Sequence, residues 1–197
     1  MAETYQTAGP WNRPGTLRFY GGPFSQFALV PGLRLPVSYQ GHPPGQWCEP
    51  PTLEHYFNAS KATNEEDFWW VLHASGPRQA KRRGGPGGER QANGNIRRLT
   101  LRPGWDDGIK QQVALVANRA KFGLEPFSVL LDCTGEATLV EWSPTDPVWG
   151  GRAADGSPTG QNLLGITLMR VRAERRTRAE AQALAMGMRR PFWTYTR

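Results

Sequence analysis

The chain has 197 residues, 38% of them hydrophobic and 21% charged, enough for one ordinary domain with a real core. No stretch approaches the roughly 20 consecutive apolar residues of a membrane span, and neither the two distant cysteines, Cys48 and Cys133, nor the three histidines, His42, His55 and His73, show a disulfide framework or metal-ligand spacing. The net charge of +7 is clustered, with eight Lys/Arg against one acid in residues 78–102 and eight Arg against two acids in residues 170–197; this favours a phosphate-bearing or nucleic-acid partner, a solvated arginine-rich surface being the plain alternative.

The opening MAETYQTAGP lacks the basic start and apolar block of a signal peptide, so a cytoplasmic location is expected by default. Residues 1–18, rich in Pro, Gly and Thr, read as a loose N-terminal arm. FYGGPFSQFALV sets Phe19, Tyr20, Phe24 and Phe27 around a glycine pair, with a short strand expected from Phe24 to Val30. SYQGHPPGQWCEPP is a loop punctuated by Pro and Gly. It leads into a helix in TLEHYFNASKA, residues 52–62, capped by Thr52 and carrying Glu54 where the helix dipole favours a carboxylate.

TNEEDFWWVLHAS is a second helix with Asn64 as cap, and PRQAKRR a short third helix opened by Pro77. GGPGGERQANGN, residues 84–95, breaks all periodicity and reads as a flexible insert. A long helix is expected from Trp105 to Phe122, with Ile109, Val113, Val116 and Ala120 on one face and Lys110 and Lys121 turned to solvent or phosphate. EPFSVLLDCTG is a further helix stopped by Gly135, and TLVEW a short strand. After the loop SPTDPVWGGRAADGSPTG a final helix starts near Asn162 and runs to about Met188, residues 176–197 being its basic end and tail. Neither repeats nor a phosphate-binding glycine loop occur.

Two stretches carry candidate chemistry. Glu54 and Lys61 lie seven positions apart, on one helical stripe and roughly 10 Å from each other, with Phe57 and Asn58 between them. That span is too long for a salt bridge and suits a ligand held between the two groups; charges on a helix surface are the ordinary alternative. In SPTDPVWGG, prolines and glycines fix Asp146 and Trp149 at low entropic cost. An indole there could stack on a base, a contact worth about 1–3 kcal/mol, or it could plug the edge of the core. Asn162 follows near a helix N-terminus, where free N–H groups suit phosphate or ribose oxygens. Trp105 repeats the arrangement of turn, aromatic and helix start, with a hydrophobic staple as its alternative.

Taken in order, these stretches resemble the NADAR or YbiA-like family. LEHYFNASKA is similar to that family's (V/A)-E-(H/Q)-Y-F-Q-A-x-K-A segment and FYGGPFSQF to its N-terminal signature. GPRQAKRRG, RPGWDDGIKQQVALVANRAKF and LLDCTGEATLVEWSPTDPVWGGR…GQNLLGITLMRVR match its later blocks. The resemblance covers residues 19–175 and departs at 40–51, at 84–95 and beyond 175. It implies one mainly helical α+β domain with a few short strands, and N-glycosidic chemistry. Some members are described as N-glycosidases acting on a phosphoribosylated pyrimidine intermediate of riboflavin biosynthesis, others as hydrolases removing ADP-ribose from guanine bases of nucleic acid.

Carried onto this chain, the resemblance implies catalytic roles for Glu54, Lys61 and Asp146. It implies ligand contacts for Phe19, Gly21, Ser25, Tyr56, Trp105, Trp149, Gly150 and Asn162, with no cofactor and no metal. Glu54 would stabilise an oxocarbenium-like ribose or activate water. Lys61 would donate to the leaving nitrogen or, as a free amine among Tyr56, Phe57 and tryptophan rings, attack C1 to give a Schiff base. ADP-ribose carried on nucleic acid is the expected substrate, since the basic clusters favour it over a metabolite. A non-catalytic ADP-ribose-binding module is the other class.

Overall fold

Local capping chemistry starts the helices. Thr52 has extended backbone and its hydroxyl accepts the His55 N–H at 3.4 Å, so α1 runs Leu53–Ala59. Asn64 repeats the device on the Asp67 N–H at 2.9 Å and opens α2, Glu65–Leu72, with three acids in its first turn. Pro77 begins α3, Pro77–Arg83, where its missing N–H costs nothing. All three helices stand where the sequence places them, α1 ending at Ala59 rather than at residue 62.

The computed structural model describes residues 11, 14–153 and 155–186. The start of the expected arm and the tail from 187 onward, Met188 included, lie outside them. Two compact units interleave along the chain: Gly21–Leu124 forms one, and Met1–Tyr20 with Glu125–Arg197 the other.

In the unit Gly21–Leu124, α1 is buried along its whole length, with α2, α3 and α4 (Lys110–Lys121) packed against it. Leu53, Phe68, Val71 and Phe122 are each fully enclosed, and each such side chain stabilises the fold by about 1.5–3 kcal/mol. A helix buried all round must also satisfy its polar groups. His55 does so through the Ala74 carbonyl at 3.2 Å and the Thr52 hydroxyl at 2.8 Å. A carbonyl only accepts, so Nε2 carries the proton and Nδ1 accepts from Thr52; His55 is a brace.

Strands in this unit are short: β2 (Leu35–Pro36) pairs antiparallel with β3 (Trp47–Cys48), and β4 (Glu89–Arg90) with β5 (Ile96–Arg97). Three expectations are corrected here. Phe24–Val30 is not a strand: Gly22–Phe24 forms a 3-10 turn, the Ser25 hydroxyl then accepts the Phe27 N–H at 3.1 Å, and no ladder forms beyond an isolated bridge from Leu29 to Thr52. Residues 84–95 hold most of a hairpin, tied to α3 by Glu89, whose carboxylate accepts from Arg83 at 2.5 Å and from Gln79 at 2.8 Å. Finally, Trp105–Phe122 is not one helix. A π-type turn at Trp105–Ile109 is broken by non-helical backbone at Asp107 and Gly108 (φ 116°) before α4 starts. Within α4 the buried face is Val113, Ala114, Ala117, Asn118 and Lys121, while Val116 is exposed.

In the other unit, Thr16–Phe19 is strand β1 rather than the end of a loose arm. It pairs in parallel with β6, Thr138–Glu141, from Thr16↔Thr138 to Phe19↔Glu141. Helix α6, Leu163–Ala185, packs on β6, and α5, Phe127–Cys133, packs on α6. The close approach of α6 to β6 requires Gly165, since a Cβ there would collide with the Leu139 carbonyl and the Asn162 amide. Arginines of α6 turn toward the end of α5: Arg172 donates to Thr134 Oγ1 at 2.7 Å, Arg175 is bidentate on Asp132, and Arg176 holds Glu136 and the Gly135 carbonyl. The fold is α+β, mainly helical, with short strands, as the sequence implies. No helix among the described residues is long and apolar enough to cross a membrane.

Candidate active site

The central feature is a chain of hydrogen bonds along α1 and the residues that end it. Glu54, Asn58 and Lys61 share one stripe by their i, i+4, i+7 spacing. Asn58 Nδ2 donates to Glu54 Oε1 at 3.0 Å, and Lys61 Nζ donates to Asn58 Oδ1 at 2.7 Å. The gap that the spacing leaves open for a ligand is therefore bridged by an amide. Lys61 Nζ also donates to the Gly84 carbonyl at 3.0 Å, at the C-cap of α3. Glu54 and Asn58 are buried and Lys61 half-buried, so the polar chain sits in surroundings where each hydrogen bond is strengthened. Gly84 makes room for it: a Cβ there would lie 2.5 Å from both Cβ and Oδ1 of Asn58. Its backbone is ordinary αR, so only the contact demands glycine.

Aromatic rings complete the surroundings of Lys61. Its Nζ lies 5.4 Å from the Phe57 ring centre and 6.0 Å from that of Trp105, within cation–π range. Trp105 is 5% exposed and packs edge-to-face on Phe57 at 5.1 Å, so its ring serves Lys61 and offers little face to a base. Tyr56 does not join this group. Two positions from Glu54 it points to the opposite side of α1, its hydroxyl donates to the Pro36 carbonyl at 3.0 Å, and burial pushes its pKa up to about 12.

The N-terminal signature packs onto the start of the stripe. Gly21 (φ 80°) takes the left-handed backbone that leads into the 3-10 turn. Ser25 is buried, and its carbonyl accepts from Lys121 Nζ at 2.8 Å; the next carbonyl, Gln26, accepts the Glu54 N–H at 3.0 Å. Lys121 was expected at solvent or phosphate, yet it is fully buried. It shares the buried face of α4 with Ala114, Ala117 and Asn118, and desolvation lowers its pKa from 10.5 to about 7. An unfolded lysine titrates near 10.5, so between pH 7 and 10.5 the unfolded chain holds the extra proton. Stability should rise with pH across that window, by about 1.4 kcal/mol per pH unit for one group. Urea unfolding of the wild type and Lys121→Met at pH 7.5 and 9 checks this: the slope in the wild type should exceed that of the variant by that amount. Lys110, also expected at solvent or phosphate, is instead half-buried and pairs with Asp106 at 2.8 Å.

The remaining sequence candidates lie in the unit Met1–Tyr20 with Glu125–Arg197. Asp146 Oδ1 accepts the N–H groups of Val148 at 3.1 Å and Trp149 at 3.0 Å, so this carboxylate shapes the loop that presents the half-buried Trp149. Gly150 is buried, and a Cβ there would stand 2.6 Å from the Asp146 carbonyl oxygen. Phe19 is a core residue of β1. Asn162 has a task unlike ligand contact. At φ 53° and fully buried, its side chain accepts the Glu141 N–H at 3.1 Å and donates to the Leu139 carbonyl at 2.9 Å. It completes β6 as a neighbouring strand would. Asn162→Ala removes the partner of two backbone groups, one of them buried, and puts at positive φ a residue that tolerates it less well than Asn, so a loss of about 1–3 kcal/mol in stability is expected, read from the urea midpoint.

The NADAR domain profile matches residues 20–176. The N-glycosidase YbiA of Escherichia coli is 34% identical over 154 residues, 78% of this chain and 81% of that protein. The N-glycosidase Npun_R5314 of Nostoc punctiforme is 36% identical over 127 residues, 62% of this chain and 72% of that protein. The NMR structure of E. coli YbiA superposes with a TM-score of 0.60 at 32% identity, covering 83% of this chain and 87% of the other.

Proposed function

The chain belongs to the NADAR domain family and is an N-glycosyl hydrolase, and from that premise we propose that it removes ADP-ribose from guanine bases of nucleic acid. One observation carries the choice of substrate. The hydrogen bond from Lys61 to the Gly84 carbonyl joins the candidate site to the C-cap of α3, the start of the basic segment 78–102. A substrate borne on a polynucleotide brings phosphates to the neighbourhood of such a site; a free phosphorylated metabolite does not need a cationic surface outside it.

In this reading Glu54 stabilises the oxocarbenium-like ribose as its C1–nitrogen bond breaks. Lys61 donates a proton to the leaving nitrogen, water adds to C1, and Glu54 takes the proton that water releases. Asn58 fixes the distance between the two groups. The oxygen acceptors and ring faces around Nζ are partners for an ammonium donor rather than for a free amine attacking C1. The test is direct incubation with guanine-ADP-ribosylated oligonucleotide and, separately, with the phosphoribosylated pyrimidine of riboflavin synthesis. Release of ADP-ribose with recovery of unmodified guanine is expected; consumption of the pyrimidine alone would overturn the assignment.

A further inference from the structure

The sequence holds two basic clusters of similar charge, and their side chains are used differently. On α6, Arg175 and Arg176 are ion-paired with Asp132 and Glu136, and Arg170 with Glu174. Their charge is largely cancelled within the unit. The cluster in residues 78–102 divides by direction. Arg83 and Arg97 turn inward, to Glu89 and to Glu66 and Asp67, and Arg102 caps the Ser60 carbonyl at the end of α1.

The other five cations of that segment, Arg78, Lys81, Arg82, Arg90 and Arg98, are all exposed. Arg78, Lys81 and Arg82 share one face of α3 at i, i+3, i+4. Arg90 follows Glu89 on β4, and strand alternation points it away from the side that Glu89 shares with α3. Arg98 comes one residue after the inward Arg97 and donates to the Pro86 carbonyl at 3.2 Å. The segment's only acid, Glu89, is enclosed between Arg83 and Gln79 and reaches Arg82 at 3.6 Å; none of the other four is ion-paired among the described residues. Four unpaired charges thus sit on α3 and the β4–β5 hairpin, and the C-cap carbonyl of α3 holds Lys61.

We propose that α3 and the β4–β5 hairpin form the track for the sugar-phosphate backbone flanking the modified base, and that the ion-paired Arg175 and Arg176 of α6 take no part in binding. This rests on the reading of the substrate as nucleic acid. Phosphate contacts set register without reading sequence, which suits an enzyme whose target is a modification. The track predicts a preference for longer oligonucleotides at low salt.

The experiment measures binding of an unmodified, labelled single-stranded oligonucleotide at about 50 to 200 mM salt. Each phosphate neutralised on a single strand contributes about −0.7 to the slope of log affinity against log salt. The triple variant Arg78→Gln, Lys81→Gln, Arg98→Gln should flatten the slope by about 2, and the single variants Arg78→Gln and Lys81→Gln by about 0.7 each. Arg175→Gln with Arg176→Gln should leave it unchanged. A wild-type slope in the triple and single variants, or equal flattening in the α6 variant, would overturn the track. Wild-type hydrolysis of an ADP-ribosylated guanine nucleoside is assayed alongside. Its absence would sink the proposed reaction, while the oligonucleotide slope still decides the track.

Discussion

Glu54→Gln should lower turnover by at least about 100-fold while the urea midpoint stays close to that of the wild type. The substitution is conservative in shape: a Gln oxygen can still accept from Asn58 Nδ2, the bond seen at 3.0 Å, so the stripe on α1 keeps its geometry. What disappears is the negative charge proposed to face the ribose and to act as the base for water. Groups in such roles contribute about 10²–10⁴-fold. Lys61→Ala should cost a similar factor, since it removes the donor held between Asn58 and Gly84. Near-wild-type rates in both variants would make the helix purely structural. Borohydride added during turnover resolves the role of the amine. No trapped adduct is expected; an adduct lost in Lys61→Ala would show attack on C1 instead of proton donation.

The second large effect should come from a residue that carries no chemistry. Gly84→Ala places a methyl 2.5 Å from Asn58, and because it meets Cβ and Cγ as well as Oδ1 of that side chain, Asn58 must move. Overpacking of this kind costs about 1–3 kcal/mol, read as a fall in the urea midpoint. Displacing Asn58 also breaks the alignment of Glu54 with Lys61, and misplacement on the scale of 1 Å can cost about 100-fold in rate. The double variant Gly84→Ala, Asn58→Gly removes every atom that the new methyl would strike and so separates the two effects. Stability should recover part of the loss, as expected for coupled neighbours, whereas turnover should stay low. Full activity in Gly84→Ala would mean that Asn58 has no positioning role.

What could be read in the sequence was what depends on near neighbours. Thr52, Asn64 and Pro77 announce their helices because a cap acts over three residues. Glu54 and Lys61 were legible as a pair because helical geometry alone puts them on one stripe. Asn58 was visible between them, but nothing in the sequence says that its amide would fill the gap, because that depends on side-chain direction and on Gly84, which arrives from α3. The missed elements share a long-range cause. Strand β1 exists only through its pairing with β6, and the hairpin is held through Glu89 by side chains of α3. The inward turn of Lys121 follows from its place seven residues after Ala114 on the buried face of α4, a face of small and polar residues that a search for large apolar side chains passes over.

The parallel pairing of Thr16–Phe19 with Thr138–Glu141 has a consequence for how the chain is made. Strand β1 leaves the ribosome early and must wait for its partner, which follows more than a hundred residues later. At about 5–20 residues per second, that delay is roughly 6–25 s. The whole segment Gly21–Leu124 emerges within that interval and contains its own helices and strand pairs, so it can fold during translation. Throughout that period TLRF is an unpaired, half-apolar strand, the kind of segment a nascent-chain chaperone would bind.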